Sequence, residues 1–180
     1  MRMPKSRFDW PYLTAAPLLT AVFLLLFYAL AGYYPFGSGA ISWCDMDQQV
    51  IPLLLNFKDI LSGEGSALYS LQNAGGMNFW GVFFFFIASP FSLLTLLVPK
   101  SQMLLFMNIL VLLKLATCAF TATLYFLRTK HRLTPEIAVL FGLFYAFSGY
   151  GLLFYQNIIW LDMMYLFPLL LLSFSFALSL

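Results

Sequence analysis

Charged residues are scarce in this sequence. Only 9% of its 180 residues are charged, while 62% are hydrophobic and 19% are aromatic. A soluble domain carries about 25% charged residues because its surface faces water. The composition therefore excludes an ordinary soluble domain and indicates an integral membrane protein, long enough for roughly four to five spanning segments. The formal net charge is +2, which leaves no basic surface for a nucleic acid, so we expect no nucleic-acid partner.

Cysteine and histidine are nearly absent. The two cysteines, Cys44 and Cys118, lie far apart in the chain, and Cys118 falls in an apolar run where a thiol usually packs as a small hydrophobic group. We therefore expect no disulfide bond. The single histidine, His131, stands in a basic cluster, so the chain has no His/Cys set with the spacing of a zinc site. A metal ion here would need carboxylate ligands.

The first long apolar segment covers residues 10–34 and follows the basic residues Arg2, Lys5 and Arg7. Its Ala29-Leu30-Ala31 resembles a signal-peptide cleavage site, but the segment is longer than the apolar core of a signal peptide, about 7–15 residues. We therefore predict an uncleaved first transmembrane helix. Because basic residues concentrate on the cytoplasmic side, we expect its N-terminus in the cytoplasm and the chain to be a multi-pass membrane protein.

Residues 35–100 are predicted to form an outer loop that contains juxtamembrane helices. Residues 48–62 have the pattern of a short helix lying at the membrane interface. Residues 79–99 are apolar enough to span, but Pro90 splits them. If they span, the basic cluster at 128–132 lies outside. If they form a broken, re-entrant pair of short helices, that cluster lies in the cytoplasm, and the positive-inside rule favours this alternative.

Three further transmembrane helices are predicted at residues 101–127, 135–155 and 158–180. Thr134-Pro135-Glu136 has the pattern of a helix start, with a capping residue, a proline and an acid. The expected fold is thus all-α and polytopic, with about four transmembrane helices plus interfacial or re-entrant helices in the first outer loop. We treat residues 1–180 as a single membrane domain and, because no basic tail follows the last helix, expect it to be the N-terminal part of a longer one.

Two aspartates, Asp45 and Asp47, follow the first helix on the predicted outer face. Carboxylates two positions apart can share a divalent cation, or one can act as a base while the other orients it. The alternative is that they are solvated loop acids or cap the helix at 48–62.

Two further ionisable residues stand in apolar segments. Asp162 lies near the predicted outer end of the last helix, where an ionisable group is either functional or an interfacial acid that reaches water. Lys114 is at the midpoint of the segment 101–127, so its ammonium should be paired in the bundle or reach a wet cavity. The chain offers no convincing Ser/His/Asp or Cys/His catalytic set.

Several motifs together resemble the YfhO family of bacterial membrane proteins, and the resemblance covers nearly the whole chain. These motifs are Tyr34-Pro35-Phe36-Gly37, residues 45–49, Ile60-Leu61-Ser62-Gly63, Gly75-Gly76-Met77-Asn78, Ala88-Ser89-Pro90, Phe147-Ser148-Gly149-Tyr150 and residues 157–169.

The resemblance implies a glycosyltransferase of the GT-C type, of which this chain would be the N-terminal part. A polyprenyl-phosphate sugar would be the donor, and the sugar, expected to be N-acetylglucosamine, would be added to lipoteichoic acid or a related cell-surface polymer on the outer face. The implied location is the bacterial plasma membrane. Membrane lipid, donor and polymer are the implied partners, and a divalent cation is an open possibility. Asp45, Asp47 and Asp162 are the implied catalytic acids.

Three polar residues in the same motifs, Gln48, Gln49 and Asn157, are expected to bind substrate. Relatives in this family are several times longer. The alternative to an enzyme is therefore a non-catalytic, truncated membrane module, or a small transporter-like bundle in which Lys114 and Asp162 line a polar path. The sequence shows no internal repeat of the kind that many transporters have.

Overall fold

A computed structural model describes residues 10–71, 75–129 and 133–178. Several predictions lie outside these residues. They concern the basic residues Arg2, Lys5 and Arg7, the basic positions 130–132 with His131, and the last two residues of the helix predicted at 158–180. The cytoplasmic placement of the N-terminus, which rests on those charges, stays a prediction.

The structure is 75% helical, and its described residues contain no strand. The α-helices are α1 (Trp10–Ala31), α2 (Ile51–Leu61), α3 (Phe79–Val82), α4 (Met103–Arg128), α5 (Pro135–Ala146), α6 (Gly149–Phe154) and α7 (Ile158–Ala177). Two π-helical turns, Met46–Val50 and Phe83–Ile87, precede α2 and follow α3, and 3₁₀ helices cover Pro90–Leu97 and Lys100–Gln102.

Four stretches of the described chain are long and apolar enough to cross a membrane: Trp10–Ala31, Lys100–Arg128, Pro135–Phe154 and Ile158–Ala177. About 20 residues are needed for a helical crossing. The all-α polytopic membrane fold expected from the composition is confirmed.

The first spanning helix ends three residues before the predicted boundary at 34. Gly32 follows it with a φ of +70°, in the left-handed region that favours glycine. The amide of Tyr33 then donates to the carbonyl of Tyr28 at 2.8 Å. This bond closes a Schellman motif, which satisfies a helix-end carbonyl and stops α1.

The segment predicted as one helix at 135–155 is two helices, α5 and α6. Phe147 leaves the helical conformation, with φ −92° and ψ 21°. Ser148 then starts α6, because its hydroxyl accepts a hydrogen bond from the amide of Gly151 at 3.5 Å, as a helix-capping serine does. A capping serine followed by glycine, a weak helix former, explains the break.

The apolar stretch at residues 79–99, predicted either to span the membrane or to be re-entrant, is broken near Pro90. Its two arms, Phe79–Ile87 and Pro90–Leu97, are bent by 103°. Ser89 caps the second arm by accepting from the amide of Phe91 at 3.3 Å, and Pro90 occupies its first turn. The stretch is therefore not one straight helix, and its re-entrant position in the membrane stays a prediction.

The chain forms two compact units. The first consists of Met1–Phe27, Leu112–Leu153 and Met163–Leu180, and the second of Tyr28–Val111 and Phe154–Asp162. In the first unit a hydrophobic cluster is built on Leu13, Leu127 and Ala138. Lys114 also belongs to this unit and is fully buried, so its side chain does not face lipid.

The second unit is organised around the buried side chain of Asn108. Its Oδ1 accepts from the amide of Ile41 at 3.0 Å, and its Nδ2 donates to the carbonyls of Tyr34 and Gly39 at 3.0 and 3.2 Å. The hydroxyl of Tyr28 donates to the backbone carbonyl of Asn108 at 3.0 Å. One amide thus fastens the loop after α1 to α4, and this loop leads directly to Asp45.

Candidate active site

The backbone before Asp45 has an unusual conformation. Cys44 has a φ of +50°, in the left-handed region that residues other than glycine seldom adopt. The π-helical turn Met46–Val50 follows at once. Both features cost free energy and are found preferentially at functional sites. They set the direction in which the Asp45 side chain leaves the loop.

The half-buried Asp45 carboxylate is held at both of its oxygens. Nε2 of Gln49 donates to Oδ1 at 3.3 Å, one helical turn along the chain, which is a favourable spacing for such a pair. Nδ2 of Asn157 donates to Oδ2 at 3.1 Å. Asn157 is itself buried, with 5% of its surface exposed. Three of the six residues predicted for the site therefore form one hydrogen-bonded cluster.

The turn that carries Asn157 is anchored to the same loop as Asp45. The hydroxyl of Tyr155 donates to the carbonyl of Ile41 at 2.8 Å. Burial raises the pKa of the Tyr155 phenol above its usual value, so the hydroxyl keeps its proton at neutral pH and remains a donor. This bond fixes the distance between residues 41–45 and 155–157.

The other predicted site residues differ from one another in their exposure. Asp47 and Gln48 belong to the π-helical turn and are exposed. Asp162 lies in the first turns of α7 and is buried, with 3% of its surface exposed. The alternative of an interfacial acid that reaches water is therefore wrong for Asp162.

Asp45 does not act as a helix cap. Asp45 occupies the position before the π-helical turn but has helical backbone angles, and its side chain makes no capping hydrogen bond. Its oxygens accept from side-chain amides instead. Capping therefore does not explain Asp45.

Two polar residues near the cluster, Asn108 and Gln156, were not predicted as site residues from the sequence. Asn108 is the hub that holds the preceding loop, and its only signal was a polar amide within an apolar run. Gln156 was interpreted only as a turn residue. Its Oε1 is buried, and among the described residues no hydrogen-bond donor reaches it. A buried acceptor of this kind is usually satisfied by water or a ligand.

A resident metal ion has few ligands to use. Within residues 10–71, 75–129 and 133–178, no group of three His, Cys, Asp or Glu side chains could hold one. Magnesium is often bound by one or two carboxylates together with phosphate oxygens of a substrate. A divalent cation at Asp45 would therefore complete its ligands with water, carbonyl oxygens or a bound phosphate.

The fold and this cluster define a polytopic helical membrane protein with a polar site in its first large loop. The family model of the bacterial membrane protein YfhO matches residues 16–178. The chain belongs to this family. Comparison with curated proteins and with solved structures finds no match for it.

Proposed function

We propose that this protein is a membrane glycosyltransferase that moves a sugar from a polyprenyl-phosphate donor to lipoteichoic acid or a related surface polymer. Membership of the YfhO family supports a membrane glycosyltransferase-like role. The expected sugar, N-acetylglucosamine, comes from the resemblance described above. The N-terminus would lie in the cytoplasm, so that the Asp45 loop faces the outside, where the polymer is.

One observation carries the catalytic proposal: the half-buried Asp45 carboxylate accepts one amide hydrogen bond at each oxygen. Each carboxylate oxygen has two acceptor sites. The thiol of Cys44 also donates to Oδ1, at 3.9 Å. These donors therefore orient the group and leave room for a substrate hydroxyl at Oδ2. This is the arrangement that a general base needs, because the base must lie within hydrogen-bond reach of the proton it removes.

In the proposed step, Asp45 takes the proton of the acceptor hydroxyl. The acceptor oxygen forms a bond to the anomeric carbon of the donor sugar, while the bond from that carbon to the phosphate oxygen breaks. The leaving polyprenyl phosphate keeps the bonding electron pair, and the configuration at the anomeric carbon is inverted. After the step, Asp45 carries the proton and the polyprenyl phosphate carries one additional negative charge, so that atoms and charge balance.

The other polar residues have subordinate roles in this proposal. Gln49 and Asn157 position the carboxylate through the bonds described above. The buried Oε1 of Gln156 would accept a hydrogen bond from a substrate hydroxyl, which would give that atom its partner. Asp47 and Gln48, being exposed, would contact the polymer or the phosphate from the solvent side.

Mass spectrometry of lipoteichoic acid tests the proposal in a bacterial strain that lacks its own family member. The strain is complemented with this chain, with Asp45→Asn, with Asp47→Asn or with Glu136→Gln as a matched control. We expect the chain to restore the sugar, Asp45→Asn to lower it about 100-fold or more because general-base catalysis is lost, and Glu136→Gln to behave like the parent chain.

Two outcomes would contradict the proposal. If the parent chain is inserted in the membrane but no sugar is restored, the chain does not transfer sugar by itself. If Asp47→Asn abolishes transfer while Asp45→Asn retains it, Asp47 is the base, and the cluster around Asp45 has another role. Immunoblots of membrane fractions show that each variant is present at the parent level.

A further inference from the structure

A second polar site lies in the same unit as Asp45, beside α2. It is a cleft of about 280 Å³. Roughly 15 Å, or about three helical turns, separates Asp45 from Asn56 along the chain, so the cleft is distinct from the candidate active site. Its polar and aromatic lining residues are Asn56, Asp59, Glu64, Ser66, Tyr69 and Ser70.

Backbone and side-chain hydrogen bonds hold the cleft open. The backbone amide of Ser70 donates to the carbonyl of Met77 at 2.9 Å, and the amide of Met77 donates to the carbonyl of Ser70 at 3.1 Å. Nδ2 of Asn56 donates to the hydroxyl of Ser70 at 3.3 Å, and Asn56 is buried with 6% of its surface exposed. A ligand would therefore enter a preformed site, which lowers the entropic cost of binding.

An aromatic side chain forms part of the wall. Tyr69 lines the cleft, and 56% of its surface is exposed. Its hydroxyl packs against Gly76, where a Cβ atom would collide with it and where φ is +128°. Because only glycine permits this close approach, the contact holds the tyrosine in place while its ring stays accessible.

The charge of the cleft selects against anions. Asp59 and Glu64 lie in the wall, and both form ion pairs with the ammonium of Lys100, the second at 3.3 Å. The charged residues that line the cleft are thus both acidic, while the ammonium of Lys58, the neighbour of Asp59, is turned to the backbone carbonyls of Thr95, Leu96 and Val98. Phosphate would be repelled, whereas hydroxyl groups can donate to the carboxylates.

We propose that this cleft binds a neutral polyhydroxylated unit, either a pyranose or a glycerol moiety. Neighbouring hydroxyls would donate to Asp59 and Glu64 and pair with the amide of Asn56, and the apolar face of the ligand would lie on Tyr69. The volume suits one small unit, since sites for drug-sized ligands begin at about 300 Å³. The proposal does not depend on sugar transfer at Asp45.

Saturation-transfer NMR on the full chain in lipid nanodiscs tests the proposal. The probes are methyl β-D-glucopyranoside and glycerol, with inorganic phosphate as the anionic comparison. We expect saturable binding of at least one hydroxylated probe at millimolar concentration and none of phosphate. Tyr69→Ala and Glu64→Gln should each weaken binding about tenfold, because each removes a principal contact.

The controls separate a specific site from a folding defect. Phe36→Ala removes an exposed aromatic side chain outside the cleft and should bind like the parent chain, and so should Asp45→Asn. Binding of the glucoside alone would identify a sugar site, and equal binding of glycerol would identify a site for a vicinal diol. Absence of saturable binding, binding of phosphate alone, or parent-like binding by both Tyr69→Ala and Glu64→Gln would overturn the proposal.

Discussion

The amides that hold Asp45 come from two very different distances along the chain. Gln49 lies one turn away in the same π-helical segment, whereas Asn157 follows after the whole of α2 to α6. Both donate to the carboxylate. Of the two, Asn157 is the more deeply buried, and its position is further supported by the neighbouring bond from Tyr155 to Ile41. Asn157 should therefore dominate the orientation of the Asp45 carboxylate, the proposed base.

We expect Asn157→Ala to reduce sugar transfer about tenfold by misplacing the Asp45 carboxylate, since small misplacements of a catalytic group are costly. The measurement is transfer of radiolabelled sugar in membrane vesicles at several acceptor concentrations. Turnover should fall while the half-saturating acceptor concentration stays constant. An unchanged turnover with a raised half-saturating concentration would instead mean that Asn157 binds the acceptor directly.

At the scale of elements, Lys58 connects α2 to the second arm of the bent pair. Its Nζ donates to the carbonyls of Thr95 at 2.9 Å, Leu96 at 3.3 Å and Val98 at 2.7 Å. These carbonyls lie at the end of the 3₁₀ helix Pro90–Leu97, where backbone donors for helix carbonyls run out. The carbonyl of Thr95 also accepts from the amide of Val98 at 3.2 Å. The lysine charge also complements the negative end of the helix. One side chain thus fixes the end of the arm.

Lys58→Met should lower the free energy of unfolding by about 1–3 kcal/mol, because several hydrogen bonds to a charged donor are lost and carbonyls are left without partners. Thermal unfolding in detergent measures the effect. Lys100→Met is the matched control, because Lys100 pairs with the exposed Glu64 and the half-buried Asp59 and its loss leaves the bonds from Lys58 to the end of the arm in place. Equal transition temperatures for Lys58→Met and the parent chain would show that Lys58 does not stabilise the arm.

The packing of α4 against α5 in the first unit depends on small residues. A Cβ atom at Gly142 would lie 2.9 Å from the carbonyl oxygen of Ala119 and would collide with the hydroxyl of Thr123. Ala138 and Ala146, one turn to either side, are fully buried. Small residues at this spacing let helix backbones approach closely in membrane proteins.

We expect Gly142→Ala to destabilise the protein by about 1–3 kcal/mol, as overpacking of a tight interface does. Gly149→Ala is the matched control, because a Cβ atom there would meet nothing within 4 Å. The measurement is the thermal unfolding temperature of both variants in detergent. The close packing of α4 and α5 would not matter to stability if Gly142→Ala and Gly149→Ala unfolded at the same temperature.

For the whole molecule, the direction of insertion decides on which side the Asp45 cluster works. Cys44 is exposed beside Asp45, and Cys118 is fully buried in α4. With the N-terminus in the cytoplasm, Cys44 should be outside. We therefore expect a membrane-impermeant maleimide to label the chain on intact cells from which the outer wall has been removed.

Cys44→Ser should abolish this labelling, since Cys118 reacts only after denaturation. Labelling that requires opened cells would place Cys44 in the cytoplasm and would contradict the proposed orientation. It would also contradict transfer to a surface polymer, because the base and the acceptor would lie on opposite sides of the membrane.

The helical membrane class and the family could be recognised from the order of the amino acids, because they depend on properties that are local in the chain. Apolar runs of spanning length and the proline at Pro90 act on their own neighbourhoods. Where the prediction of helices was too coarse, as at Ser148, the reason was also local. The hydroxyl of Ser148 caps α6 and so ends an otherwise continuous apolar helix, and a hydrophobicity pattern does not predict a capping hydrogen bond.

Folding was needed to distinguish Asp45 from Asp47 and to bring it into hydrogen-bond contact with Asn157. A sequence pattern carries no information about which amide will reach which carboxylate across more than a hundred residues. The contact between Asn157 and Asp45 depends on the hydrogen bonds of Asn108 and Tyr155 and on the backbone dihedral angle of Cys44. Hydrogen bonds require placement within a few tenths of an ångström, and only the packed chain sets distances at that precision.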